Sequence, residues 1–215
     1  MMDILSAALN YAIANSDRVV SALQEHCLLV FIPLAIGLAL GLPLGFWSAR
    51  STWASTVLMN GFNALRVIPS LAVLFLAIPY FGLSVQSAII ALTLLVIPPI
   101  LISTDAAFRN IDPAVREAAQ GMGMPMVRVL RQIEIPLALP VIIAGVKTAM
   151  VEAIASATLA AFIGAGGLGT FVVLGFALYD NAVLLVGAIP VAVLALVAEL
   201  VFALVQRWMR SPAFR

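Results

Sequence analysis

Hydrophobic and polar positions alternate on a coarse scale, as long uncharged runs separated by short polar stretches. Residues 27–49 carry no Asp, Glu, Lys or Arg. A bilayer core takes about 20 apolar residues in a helix, so this run predicts a first membrane span. The next uncharged run, 67–104, is too long for one crossing and is interrupted by "PYFGLS" at 79–84. It predicts two spans, 56–79 and 85–104, the first of them carrying Arg66. A fourth span, 137–163, contains Lys147 and Glu152 and stops at "GAGGLG", 164–169. Asp180 and Asn181 precede a fifth, 182–206. Ahead of these, Ile4, Leu5, Ala8, Leu9, Ala12 and Ile13 keep helical spacing, and Val19, Val20 and Leu23 continue it past Asp17. The stretch 1–26 therefore predicts one or two amphipathic helices on the membrane surface. It has no basic start followed by an apolar core, so no secretory leader is expected.

Composition strengthens this picture. Of 215 residues, 64% are hydrophobic and 10% charged, where soluble domains carry about 25% charged residues. The mean hydropathy is +1.16. The expected fold is an all-α integral membrane protein with five transmembrane helices. A net charge of +1 supplies no field for nucleic acid, and membrane lipid is the expected surrounding. The lone Cys27 allows no internal disulfide. The lone His26 has no metal-ligating neighbours, and both are read as incidental residues where a span begins.

Charge also orients the chain. Arg50, Arg109, Arg116, Arg128, Arg131, Arg207, Arg210 and Arg215 all fall on one side of the predicted spans. The other side has Arg18, an uncharged 80–84 loop and Asp180. The excess of arginine marks the cytoplasmic face. The N-terminus is then outside, and the C-terminus and 105–136 are cytoplasmic. Trp47, Trp53 and Trp208 suit the inner interface, and Tyr80, Phe81 and Tyr179 the outer one. Abundant Gly, Ala and Pro in the spans favour a packed transport bundle over a simple anchor.

The cytoplasmic insertion 105–136 has its own punctuation. Asp112-Pro113 is a helix start, with Asp as N-cap and Pro at the first helical position. The helix should reach Gln120 and break at Gly121 and Gly123. A second helix should run from Pro125 to Pro136. Ala114, Ala118 and Ala119 make the first helix slim, and Glu117 gives it a charge. Such a helix suits a groove on a partner, although the spacing alone fits a passive interfacial hairpin as well.

Glu117-Ala118-Ala119, three residues, Gly123, nine residues, then Ile133-x-Ile135-Pro136 resembles the EAA signature of permease subunits of bacterial ABC importers. The signature has Leu where this chain has Ile135. "NALRVIPSLAVLFLAIPYFG" (63–82), "IPLALPVIIAGVKTA" (135–149) and "AAFIGAGGLG" (160–169) extend the likeness over most of the chain. The resemblance implies the methionine-type permease fold in a bacterial inner membrane, and a coupling helix docked in a cleft of an ATPase. Glu117, Ala118, Ala119, Gly121, Gly123, Ile133 and Pro136 are then the ATPase-coupling residues. The implied partners are two ATP-binding subunits, a second permease that is identical or homologous, and an extracytoplasmic substrate-binding protein. No cofactor is expected on this chain: ATP and Mg belong to the ATPase. The chain has no G-x-x-x-x-G-K-[ST], and its only lysine lies in "AGVKTA". It is not expected to be an enzyme.

"IPSLAVL", "EAAQGMGM", "ATLAAFIGAGGLG" and "VGAIPVAVLALVAELVF" look like the osmoprotectant branch of that family: glycine betaine, choline or carnitine. Arg66, in "LRVIPS", looks more like methionine permeases, which leaves methionine or another amino acid as the alternative substrate. An ATP-independent channel or secondary transporter should show inverted repeats, and no convincing repeat is present. Arg66, Lys147 and Glu152 are charges in or near spans, and so are candidates for the pathway or a gate. "GAGGLG" fits G-x-G-x-x-G in form but follows a membrane helix rather than a strand, so it is not a dinucleotide site. It is read as an outer helix break, with Phe171–Leu178 either a short lid or a plain loop.

Overall fold

The structure is a computed structural model that describes residues 2–209; Arg210 and Arg215 of the charge count lie outside the described residues. Ten α-helices and no strand occur among them: α1 (Met2–Ala14), α2 (Ser16–Arg50), α3 (Thr52–Val67), α4 (Ser70–Phe81), α5 (Val85–Arg109), α6 (Pro113–Gly121), α7 (Met126–Val129), α8 (Ile135–Leu159), α9 (Gly169–Leu178) and α10 (Asn181–Met209). Helices α2, α5 and α10, and the continuous run Met126–Ile163 that contains α8, are each long and apolar enough to cross a membrane. The pair α3 and α4 passes that test only together, bent by 99°. All-helical construction follows from the solvent: in hydrocarbon every backbone N–H and C=O must find its partner within the segment.

The centre of the bundle is α5, with α2 on one side and α8 on another. Gly37, Gly41 and Gly45 recur every four residues and so share one face of α2. That face lies directly against Val96, Ile100, Leu101 and Thr104 of α5. Gly145 of α8 lies equally close to Pro99 and Ser103. Leu29, Leu34, Leu74, Leu92, Val96, Ile100 and Ile154 fill the core between them.

Three sequence expectations are corrected, and one left open between two readings is decided. The span expected at 56–79 is not one helix. It breaks at Ile68 and Pro69, both extended, because a residue before proline is pushed out of the helical region. The stretch 1–26 is not separate from the first span, since α2 begins at Ser16. At 35 residues and ~1.5 Å per residue, α2 is about 50 Å long and outruns the hydrocarbon. Helix α1 packs on α10, with Ala8 buried and Tyr11 edge-on to Phe171 at 6.5 Å. The second helix of the insertion does not end at Pro136: α7 passes through a π turn, Leu130–Glu134, into α8. Widening the helix there accommodates the donor that Pro136 lacks. Finally, 169–178 is a ten-residue helix, α9, rather than a plain loop. Its Gly175 abuts the backbone of Leu184 in α10.

Candidate functional site

Helix α6 is held by its ends. Asp112 Oδ1 accepts the Ala114 N–H at 2.9 Å, and Pro113 occupies the first turn. At the other end, Met124 N donates to Ala119 O at 3.1 Å and Gly123 N to Gln120 O at 2.9 Å. That pair of bonds is a Schellman closure, which needs a left-handed residue. Gly123 supplies it with φ +81°. Glu117, Ala118, Gly121, Met122 and Gly123 are exposed, whereas Ala119 is buried. Ile133 is half-buried and Pro136 exposed on the following helix. The expected coupling residues are therefore divided: Glu117 and Ala118 are exposed, and Ala119 is buried.

Beneath α6 lies an ion cluster. Glu134 is 2% exposed. Its Oε1 accepts from Arg116 Nε of α6 at 2.6 Å, and its Oε2 from Arg50 of α2. The second Arg116 nitrogen caps the Phe108 carbonyl of α5 at 2.8 Å. The Arg50 guanidinium stacks 5.1 Å over Phe46, which meets Phe108 edge-on at 4.9 Å. Beside it, Asp105 of α5 accepts from Ser48 Oγ at 2.7 Å and from Arg109, and Arg109 also reaches the Ser48 carbonyl at 2.9 Å.

The three charges singled out within the spans do not form one cluster. Lys147 of α8 forms an ion pair with Glu199 of α10. Glu152 is half-buried on α8, and Arg66 is exposed on the last turn of α3 beside the elbow.

At the end of the bundle away from the ion cluster, the glycine run closes on α2. Gly164, Gly166 and Gly167 have φ of +75°, +83° and +77°, and Gly167 N donates to Glu25 Oε2 at 2.8 Å. A Cβ on Gly166 would lie 2.4 Å from the same oxygen, and one on Gly167 would lie 3.3 Å from the buried His26 ring. The turn does hold an anion, but it is the chain's own carboxylate. Glu25→Ala is expected to loosen this turn by about 1 kcal/mol, the net worth of one hydrogen bond. Faster amide exchange across 164–169 in detergent, with exchange in α5 unchanged, is the check.

Residues 41–211 match the family described as "Binding-protein-dependent transport system inner membrane component". The chain belongs to this family. Among characterised relatives, this permease is 36% identical over 207 residues to the carnitine transport permease protein OpuCD of Listeria monocytogenes, covering 96% of this chain and 93% of that one. It is 35% identical to the choline transport system permease protein OpuBB of Bacillus subtilis, over 90% and 89% of the two chains. It is 36% identical to the osmoprotectant import permease protein OsmW of Salmonella typhimurium, over 89% and 91%. Its fold superposes on a chain of the inward-facing MetNI methionine ABC transporter with a TM-score of 0.78 at 21% identity, covering 91% and 98%.

The permease's Glu134, Glu199 and Glu25 were not picked out from sequence. Glu134 was discoverable in principle as the one carboxylate in "RQIEIP", flanked by apolar residues just before a span. Glu25 carried no local signal, since its partner lies 142 residues away.

Proposed function

We propose that this permease imports a quaternary-amine osmoprotectant (glycine betaine, choline or carnitine) and is driven through α6 by a separate ATPase. The observation that carries the coupling is the division of the EAA segment: Glu117 and Ala118 stand outward on a doubly capped helix, and Ala119 is buried on its other side. The substrate class rests on the relatives named for carnitine, choline and osmoprotectant transport. The chain is one permease domain, crossing with α2, the α3–α4 pair, α5, α8 and α10. Its N-terminus is outside, and the end bearing Arg50, Arg109 and Arg116 is cytoplasmic.

In this reading two permeases, identical or homologous, form the pathway between them, and two ATP-binding subunits sit beneath with ATP and Mg. This chain's only lysine is occupied by Glu199 within the helices and has no phosphate cradle around it. Closure of the ATPases on ATP pushes both α6 helices and opens the cavity outward. A binding protein delivers its ligand there, and hydrolysis reverses the movement. Arg66, beside the elbow between α3 and α4, and Glu152, half-buried on α8, are assigned to the pathway. Lys147, neutralised by Glu199, ties α8 to α10 instead.

The deciding experiment measures binding of radiolabelled glycine betaine, choline, carnitine and methionine to the partner binding protein, followed by uptake in cells with and without this permease. Permease-dependent uptake of a quaternary amine is expected. Uptake of methionine alone would replace the substrate assignment while leaving the coupling assignment in place.

A further inference from the structure

A lever moves a load only if it is fastened to it, and α6 reaches the bundle through two short links, 110–112 and 122–125. The fastening is ionic. One buried carboxylate, Glu134 at the start of α8, spends one oxygen on Arg116 of α6 and the other on Arg50 of α2. Arg116 also holds the last turn of α5 through the Phe108 carbonyl. The helices so joined are the same three that approach each other through glycine: α2 on α5 at Gly37, Gly41 and Gly45, and α8 on α5 at Gly145.

We propose that Glu134 is a positioning residue that locks α6 to the α2–α5–α8 unit, so that displacement of α6 by the ATPase moves those three helices as one body. Pulling α6 away would strip Arg116 from a buried carboxylate and leave one of its oxygens without a partner, Arg50 holding only the other, and breaking one arm of a buried ion pair is costly. The joint therefore resists separation much more than a surface ion pair, which is worth little. It also gives a buried carboxylate at this point of the chain a reason to be charged, since buried charges are paired. This inference rests on the coupling reading above.

The test uses the complete transporter in proteoliposomes. Spin labels are placed at Val115→Cys on α6 and Leu137→Cys on α8, both exposed, in a Cys27→Ser background. With Glu134 present, the interlabel distance is expected to stay the same between the nucleotide-free and vanadate-trapped states. In Glu134→Gln, the distance shifts on trapping. Uptake of radiolabelled glycine betaine and choline per ATP hydrolysed falls about tenfold or more, while the ATPase still co-purifies. Glu134→Asp, which keeps the charge, recovers part of both. If Glu134→Gln does not accumulate, Arg116→Lys, which keeps the charge but loses the second hydrogen bond, is read by the same two measurements and is expected to show a smaller shift. An unchanged coupling ratio in these variants overturns the inference, as does an interlabel distance that already moves with Glu134 intact. If Glu117→Lys uncouples transport and Glu134→Gln does not, only this joint is wrong. If neither variant affects transport, the coupling reading itself is wrong.

Discussion

Glu117→Lys is expected to abolish uptake while the permease still inserts and folds. The side chain is exposed and makes no contact that holds α6 together: the helix is fixed by Asp112, by the Gly123 closure and by Arg116. Reversing its charge therefore leaves the isolated chain intact and acts only where a partner's cation would meet it. Truncating one member of a buried interfacial ion pair costs about 2–5 kcal/mol. That is a loss of roughly thirtyfold to several thousandfold in affinity, and reversal adds repulsion. Gly123→Trp should behave alike for a different reason. A Cβ there meets nothing within 4 Å, so the chain itself has room for the ring. The left-handed backbone, φ +81°, adds about 1–2 kcal/mol, which a folded bundle tolerates. The bulk is refused by whatever packs on the corner. The check is uptake together with recovery of the ATPase on the purified permease. Both variants should lose both signals and retain normal extraction. Normal uptake by both would remove α6 from the coupling role.

Much of the architecture was legible because the bilayer imposes it. An uncharged run of about 20 residues has few other uses, and the five runs read from sequence correspond to α2, the α3–α4 pair, α5, α8 and α10. The caps of α6 were equally legible, since Asp-Pro and the glycine corner act within a few residues. The features that escaped detection share a physical cause. The elbow at Ile68 and Pro69 lies between two helices that are long and apolar enough to cross only together, so hydropathy averaged over a span does not mark it. Pro136 has the usual marks of a helix end, yet the π turn before it carries the helix on. Asp17, Arg18 and Glu25 look like a surface segment, but a helix need not stop where lipid stops. The ion cluster depends on partners far apart in the chain, such as Arg50 and Glu134 at a separation of 84 residues, which no local spacing encodes. The glycine run was recognised as a break, but its reason, the approach of Glu25 and His26, is tertiary.

Gly145→Leu is expected to prevent the permease from folding stably, whereas Gly61→Leu is not. Membrane helices gain little from hydrophobic exclusion against one another, because lipid tails are as apolar as leucine, so their association relies on close packing and on small residues that permit it. At Gly145 a Cβ would lie 2.3 Å from the Ser103 Cβ and 2.8 Å from the Pro99 carbonyl oxygen. A side-chain tip can rotate away from such a clash, but the backbone of a central helix cannot. Relief requires α8 to move off α5, which also strains the α2–α5 contact, where a Cβ on Gly45 would lie 2.6 Å from the Leu101 carbonyl oxygen. Overpacking a well-filled core typically costs about 1–3 kcal/mol; here several methyl-sized groups are forced against backbone, so the loss should reach or exceed the top of that range. Against a total stability of about 5–15 kcal/mol, that is enough to lower the folded fraction visibly. Gly61 has nothing within 4 Å of its Cβ position, and replacing a mid-helix glycine there relieves backbone entropy. Thermal stability of the two purified variants in the same detergent makes the comparison. Equal midpoints would mean that α5 and α8 are not in contact at Gly145, and the three-helix unit on which the joint at Glu134 pulls would lose its central support.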